Sequence, residues 1–357
     1  MAVSSSLGSS ERPLRFQLCR QRRRVWGISA VVVVLSLVGL ILCMRDPSIG
    51  APLRPGLDFT GGTQIQLERS CTKTCQQLNT TNVAEALAGL DLPVSNNEAA
   101  PNLSRARVQF QTDSLDQSQN LVLRLPFLSA AQGQAVIDAM VPVAGPFQSG
   151  GQSVDTIGPS LGGQLLRSSL ISLLAAFTGI AIYISFRYDR RYALLALVAL
   201  AHDVIIVCGV FAWLGLLLSL EVDSLFAVAL LTIAGYSVND TVVVFDRIRE
   251  RSREDSALPL TEQVDRAVSA TLTRTLYTSG TTLLPLLALI LFGGTTLYWF
   301  AVALALGVIV GSWSSIALAP SLLSLWQGDS PVAKPLQTTP ITPPPLPPTE
   351  GGVSSDG

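Results

Sequence analysis

Apolar residues in this chain come in long unbroken blocks, and about 20 such residues are what a helix needs to cross the hydrocarbon core of a bilayer. Val25 to Met44 carries no charge, and Ser168 to Phe186 is a second block. Tyr192 to Leu218 is the third, interrupted by His202-Asp203, and Ser224 to about Phe245 is the fourth, with Asp240 inside it. Thr275 to Gln327 is free of charge but too long for one crossing. Gly293-Gly294-Thr295-Thr296 divides it into spans near 275–292 and 297–325. Six crossings are expected. The first is longer than the roughly 7–15 apolar residues of a signal peptide and no Ala-x-Ala-like site follows it, so it reads as an uncleaved anchor.

Between the first two blocks, over residues 45–165, the pattern changes to short alternating runs. Leu57–Glu68, Arg105–Gln111 and Leu121–Leu125 read as strands, with Gln152–Ile157 as a last one. Asn82–Gly89 reads as a short helix with Asn82 as its N-cap. Ser129–Met140 reads as a second, opened by Ser129 with Gln132 at capping-box spacing. The order β-α-β-β-α-β is that of a ferredoxin-like split βαβ module. The predicted fold class is therefore a polytopic α-helical membrane protein of six transmembrane helices, with one α+β ferredoxin-like extracytoplasmic domain between helices 1 and 2. The expected division is a basic N-terminus (1–24), helix 1 (25–44), the outer domain (45–165), helices 2–6 (166–327) and a tail (328–357).

Composition agrees with a membrane protein: 48% of the 357 residues are hydrophobic and 14% charged, against about 25% charged in a soluble domain. A net charge of −1 without a basic patch gives no reason to expect a nucleic-acid partner. The cations are nearly all arginine, with only Lys73 and Lys334 as lysines. Arginines gather before the first span (Arg12 to Arg24), after the second (Arg187, Arg190, Arg191) and after the fourth (Arg247 to Arg253, then Arg266). The short loops at 219–223 and 293–296 hold none. Every basic flank then falls on one side, which makes both termini cytoplasmic. Cys71 and Cys75 lie on the opposite side, where disulfides persist; they are either bridged or two free thiols. Cys19, Cys43 and Cys208 have no metal-type spacing. The tail from Pro331, with Pro343-Pro344-Pro345, reads as disordered with polyproline II character.

No phosphate-binding glycine loop, metal cluster or nucleophile elbow is present in the sequence, so the expectation is a non-enzyme with no cofactor and no metal. Gly56-Leu-Asp-Phe-Thr-Gly-Gly62 offers Asp58, but the favoured reading there is the start of a strand with turn glycines. Four ionisable residues remain in or near the bilayer: His202, Asp203, Asp240 and Arg274. A carboxylate at the centre of a membrane helix costs about 2.5–3.5 kcal/mol on insertion scales, and such groups commonly line ion or proton paths. Asp240 lies seven residues before Arg247, about 10 Å along a helix from that interface. There it balances burial, which disfavours charge, against cations, which favour it. A proton-handling role stands beside pairing with a neighbouring helix or capping of a kink. Arg274 either snorkels to the interface or faces Asp240 and responds to its protonation. His202 and Asp203, near the middle of the third span, either join a relay or make a helix–helix hydrogen bond. Gly307-x-x-x-Gly311 has the spacing that lets helices approach closely.

These residues resemble the SecF proteins of the SecD/SecF family, within the resistance-nodulation-division superfamily, over nearly all of residues 25–325. The strongest matches are Gly-Tyr-Ser-Val-Asn-Asp-Thr-Val-Val-Val-Phe-Asp-Arg-Ile-Arg-Glu at 235–250 and Thr-Arg-Thr-Leu-Tyr-Thr-Ser-Gly-Thr-Thr-Leu-Leu at 273–284. Leu-Asp-Phe-Thr-Gly-Gly at 57–62, Ile-Gly-Pro-Ser-Leu-Gly at 157–162 and Ala-His-Asp-Val at 201–204 also fit. The resemblance implies SecD as a partner supplying a second six-span half, association with the SecYEG channel and a translocating preprotein, and use of the proton-motive force to aid export. It implies proton transport at Asp240 and Arg274. The stretch around Cys71 and Cys75, the segment 91–104 and the Pro-rich tail depart from the family pattern.

Two other functions compete. A half-transporter of the same superfamily would export a lipid or small molecule, but such proteins usually carry two six-span halves and larger outer domains. A purely structural membrane scaffold would not need Asp240. The expected location is the cell inner (plasma) membrane, with a thylakoid-type membrane as the alternative.

Overall fold

In the computed structural model, residues 18–70, 79–93, 101–112, 119–254 and 258–326 are described. Cys71, Cys75, Arg12, Arg15 and the Pro-rich tail lie outside them. Six helices among the described residues are long and apolar enough to cross a membrane. They comprise α1 (Leu18–Arg45), α5 (Pro159–Arg187), α6 (Arg190–Leu217), α7 (Ser224–Glu254) and α8 (Leu260–Phe292). The sixth runs from α9 (Gly294–Trp313) through a π-helical turn (Ser314–Leu318) into α10 (Ala319–Trp326). The helices outrun the apolar blocks because their ends lie in polar flanks: α5 begins at Pro159, a favoured first position.

The outer domain adds α2 (Leu57–Thr60), β1 (Gly62–Arg69), α3 (Thr80–Ala88), β2 (Arg107–Thr112), β3 (Gln119–Leu125), α4 (Ala130–Ala144) and β4 (Phe147–Ile157). The strands form one sheet in the order β2-β3-β1-β4, all neighbours antiparallel. Ile65 pairs with Leu123 and Leu67 with Leu121. These four side chains share a buried core with Val83 and Leu87 of α3 and Val136 and Met140 of α4. Alternation in β1 thus turns one face to the helices and leaves Gln64 and Gln66 on the other.

Two local expectations are corrected. The strand predicted from Leu57 is a helical turn over Leu57–Thr60, and β1 starts only at Gly62. Gly61 and Gly62 at φ +69° and +127° break the run, conformations that side-chain-bearing residues rarely adopt. The N-cap of α3 is Asn79 rather than Asn82, because the Asn79 side chain accepts the Thr81 N–H. The capping box of Ser129 with Gln132 forms as predicted.

Close helix contacts follow small residues. An added Cβ at Gly307 would lie 2.3 Å from Ile233 Cγ1, and one at Gly311 would lie 3.4 Å from Ser237 Cβ. The Gly307-x-x-x-Gly311 face therefore seats α9 directly on α7. On the outer side, the loop before α7 is joined to the sheet domain. Glu221, almost fully buried, makes ion pairs with Arg107 of β2 (3.3 Å) and Arg124 of β3. Burial, with the charges of Arg107 and Arg54 adding, pushes Arg124 down to about 10; a buried carboxylate there offsets the crowding of guanidinium groups. Substituting Gly307→Leu will force α9 off α7 and lower stability by about 1–3 kcal/mol through overpacking. A reduced thermal midpoint in detergent checks this; an unchanged midpoint contradicts the contact.

Candidate functional site

Helix α7 carries Ser237, Asp240 and Thr241 at three- and four-residue spacings, which set them on one side of the helix. Asp240 is half-buried and lines a narrow cleft between α7, α8 and α9. Thr278, Ser279 and Thr282 of α8 and Ser312 of α9 line the same cleft. Ser279 Oγ and Ser312 Oγ are 2.5 Å apart and tie α8 to α9. Arg274 lies one turn before Thr278, whose hydroxyl donates to the Arg274 carbonyl at 3.0 Å. Its side chain is exposed. The Arg274 charge acts on Asp240 through space, yet no ion pair or hydrogen bond of Asp240 is found among the described residues. Of the expected pair, Asp240 lines the cleft, and Arg274 lies one turn before it on α8 without direct contact to Asp240.

Asp203 has the opposite environment. It is fully buried on α6, and its Oδ2 accepts hydrogen bonds from Ser237 Oγ of α7 (2.5 Å) and Ser314 Oγ of the π turn (2.7 Å). His202 Nδ1 lies 2.8 Å from the other oxygen, Oδ1. His202 Nε2 is buried without a hydrogen-bond partner among the described residues. The π turn contributes a second serine: Ser315 Oγ lies 2.9 Å from Thr241 Oγ1 and donates to the Ser237 carbonyl at 3.3 Å. Such widened turns are uncommon and recur at functional positions. Here the turn lets two consecutive serines reach different helices, Ser314 to Asp203 of α6 and Ser315 to Thr241 and Ser237 of α7.

The helix–helix hydrogen bond weighed for His202-Asp203 is therefore present, and Ser237 touches both settings: it bonds Asp203 and lines the Asp240 cleft. Ser237, Ser314 and Ser315 were not singled out by sequence, because a serine in a membrane helix is common and its partners lie on other helices. Asp58 was also passed over. Its Oδ2 accepts the Ser224 backbone N–H (3.0 Å) and the Ser224 hydroxyl at the start of α7. The one available signal was an acidic residue before two glycines together with an Asp-Ser pair opening a long helix.

A six-helix membrane bundle with a small outer sheet domain and carboxylates inside the bundle defines a class, the polytopic membrane proteins with intramembrane acidic groups. Residues 141–329 match the family described as protein export membrane protein SecD/SecF, C-terminal. Residues 48–73, which include Asp58 and the two glycines, match the SecD/SecF GG motif. The chain is 60% identical over 310 residues to the protein translocase subunit SecF of Prochlorococcus marinus, covering 87% of this chain and 95% of that protein. It is 38% identical over 317 residues to SecF of Synechocystis sp., covering 88% and 95%. Among solved structures it resembles SecDF, a translocon-associated membrane protein from Thermus thermophilus, with a TM-score of 0.70 and 29% identity, covering 88% of this chain and 39% of that one. The chain belongs to the SecD/SecF family.

Replacing Asp203 by Ala leaves the hydroxyls of Ser237 and Ser314 without their common acceptor. This should cost about 1–3 kcal/mol, and Ser314→Ala about 1 kcal/mol. Thermal unfolding in detergent reads both; a midpoint unmoved by Asp203→Ala contradicts the assignment.

Proposed function

We propose that the chain is an accessory subunit of the Sec protein-export machinery that acts with SecD to couple the proton-motive force to movement of polypeptides across the membrane. Asp240 carries the proton step and Arg274 senses it. The observation that bears most weight is the contrast between the two carboxylates in the spans: Asp203 is buried and held by serine hydroxyls, whereas half-buried Asp240 faces a cleft with no bonding partner among the described residues. In the charged state Asp240 is attracted to Arg274; in the neutral state that attraction is gone. Two states with different proton affinity follow, and the packing of α7 against α8 and α9 differs between them. His202 and Asp203 are assigned to holding α6 against α7 and the π turn, next to the proton site rather than on its path.

Several features support the rest of the reading. The SecDF relative is a translocon-associated protein of which this chain matches 39%, which favours a separate SecD-like second half, with the SecYEG channel and the preprotein as further partners. The strand order, the antiparallel pairing and two helices sharing one core favour a ferredoxin-like outer domain. The basic helix ends gather on one side of the bundle: Cys19 N–H donates to Asp265, and Arg187 pairs with Asp246 at 3.3 Å. By the positive-inside rule that side is cytoplasmic, with both termini on it. The home is then the inner (plasma) membrane or a thylakoid-type membrane. Export of a lipid or small molecule is disfavoured, because two relatives of matching length bear the name of a translocase subunit.

In cells whose only copy carries Asp240→Asn, secretion of a reporter precursor should fall about ten-fold, within the 5–150-fold range typical of coupled sites, with the subunit at normal abundance by immunoblot. Arg274→Met should act in the same direction. Normal secretion by Asp240→Asn at normal abundance contradicts the proton-driven reading and favours a scaffold.

A further inference from the structure

The GG-motif segment is not used by the proton site, and its contacts give it a distinct task. The backbone around Pro55 grips the loop before α7 by two hydrogen bonds, Val222 N–H to the Arg54 carbonyl (2.9 Å) and Gly56 N–H to the Val222 carbonyl (2.8 Å). Asp58 then takes the first backbone N–H of α7, at Ser224, and its hydroxyl. Asp223 takes the Phe226 N–H at 3.0 Å. The helix thus starts on two carboxylates, and one of them belongs to the outer domain's own entrance segment. Carboxylates bind helix starts because those N–H groups lack intrahelical partners and the helix dipole is positive there.

The same segment is anchored on its other side. Gly61 and Gly62 have positive φ, and a Cβ at Gly61 would lie 2.9 Å from Pro159 Cα at the start of α5. At Gly62 it would lie 2.6 Å from the Leu125 carbonyl oxygen at the end of β3. Glu221 adds the ion pairs to Arg107 and Arg124 on β2 and β3. The outer sheet therefore grips the start of α7 through a cap, a backbone bridge and an ion cluster around the buried Glu221 carboxylate. From that point α7 runs without a break to Glu254, and Asp240 lies about 24 Å along it. A stiff helix passes displacement from one end to the other, so α7 cannot shift at Asp240 without moving the outer sheet or breaking the grip.

We infer that Asp58 and Glu221 are positioning residues that transmit the state of Asp240 along α7 to the outer domain. This rests on the proposed proton reading. It differs from a purely structural grip in what its loss does: the proton step continues while its effect on export disappears.

The test uses the full chain reconstituted with its SecD partner in proteoliposomes, with proton flux under an imposed gradient as one readout. Reporter secretion in cells is the other, with abundance checked by immunoblot. Asp58→Ala and Glu221→Gln should keep flux close to that of the wild type while secretion falls about five-fold or more. Asp58→Asn, which retains an acceptor for the Ser224 N–H and is as good a cap, should restore secretion. If Asp58→Ala does not accumulate, Glu221→Gln tests the same grip from the other half. Parallel loss of flux and secretion at normal abundance, or normal secretion in both variants, overturns the inference. Flux unaffected by Asp240→Asn overturns instead the proton reading beneath it.

Discussion

A polar group inside the hydrocarbon has no water to turn to, so the bundle itself must satisfy it or leave it poised. The two carboxylates in the spans answer this constraint in opposite ways. Asp203 receives two serine hydroxyls and faces a histidine nitrogen, and its three helices meet at that oxygen pair. Asp240 sits one turn beyond Ser237 on α7 with a cation within electrostatic range and, among the described residues, no bond to hold it. One group therefore fixes the packing, and the proposed function gives the change of charge to the other. The rest of the bundle is arranged around that difference, with the glycines of α9 letting α7 approach closely enough for both settings to share Ser237.

The outer domain is built on the same helix. Its sheet reaches the first turn of α7 through Asp58 and through Glu221 with its arginines, so the element that carries Asp240 is also the element that meets the sheet domain. Coupling over such a distance needs a contiguous stiff element with two arrangements that both sites bias. An unbroken α7 provides the stiffness, and in the proposed function the protonation of Asp240 provides the bias. Helix α5, by contrast, leaves Leu170, Leu174, Ile182 and Phe186 exposed. In a bilayer, lipid tails or the helices of a second half cover such a face.

Much of this was legible along the chain. Block length exposed the six spans, the cost of a buried carboxylate singled out Asp240, and Ser129 with Gln132 marked the start of α4. What escaped depends on residues brought together from far apart. Asp58 looked like part of a strand turn because its partner, Ser224, lies 166 positions away. The apolar-polar alternation after Leu57 resembled a strand, and only the positive φ of two glycines ends the helical turn that forms there. The role of Asp203 required Ser237 and Ser314, two ordinary serines, and a π turn whose existence no local pattern announces. Asn82 looked like a cap, but the earlier Asn79 reaches the orphan N–H first. Local chemistry was readable; partners across helices were not.

In the proposed function Asp240 changes protonation in the working complex while Asp203 does not. Infrared difference spectroscopy of the complex in bilayers, across a pH step, tests it by following the carbonyl band of protonated carboxyl groups. The account predicts a band change that disappears in Asp240→Asn and persists in Asp203→Asn. A change that survives Asp240→Asn, or one that vanishes only with Asp203→Asn, would contradict it.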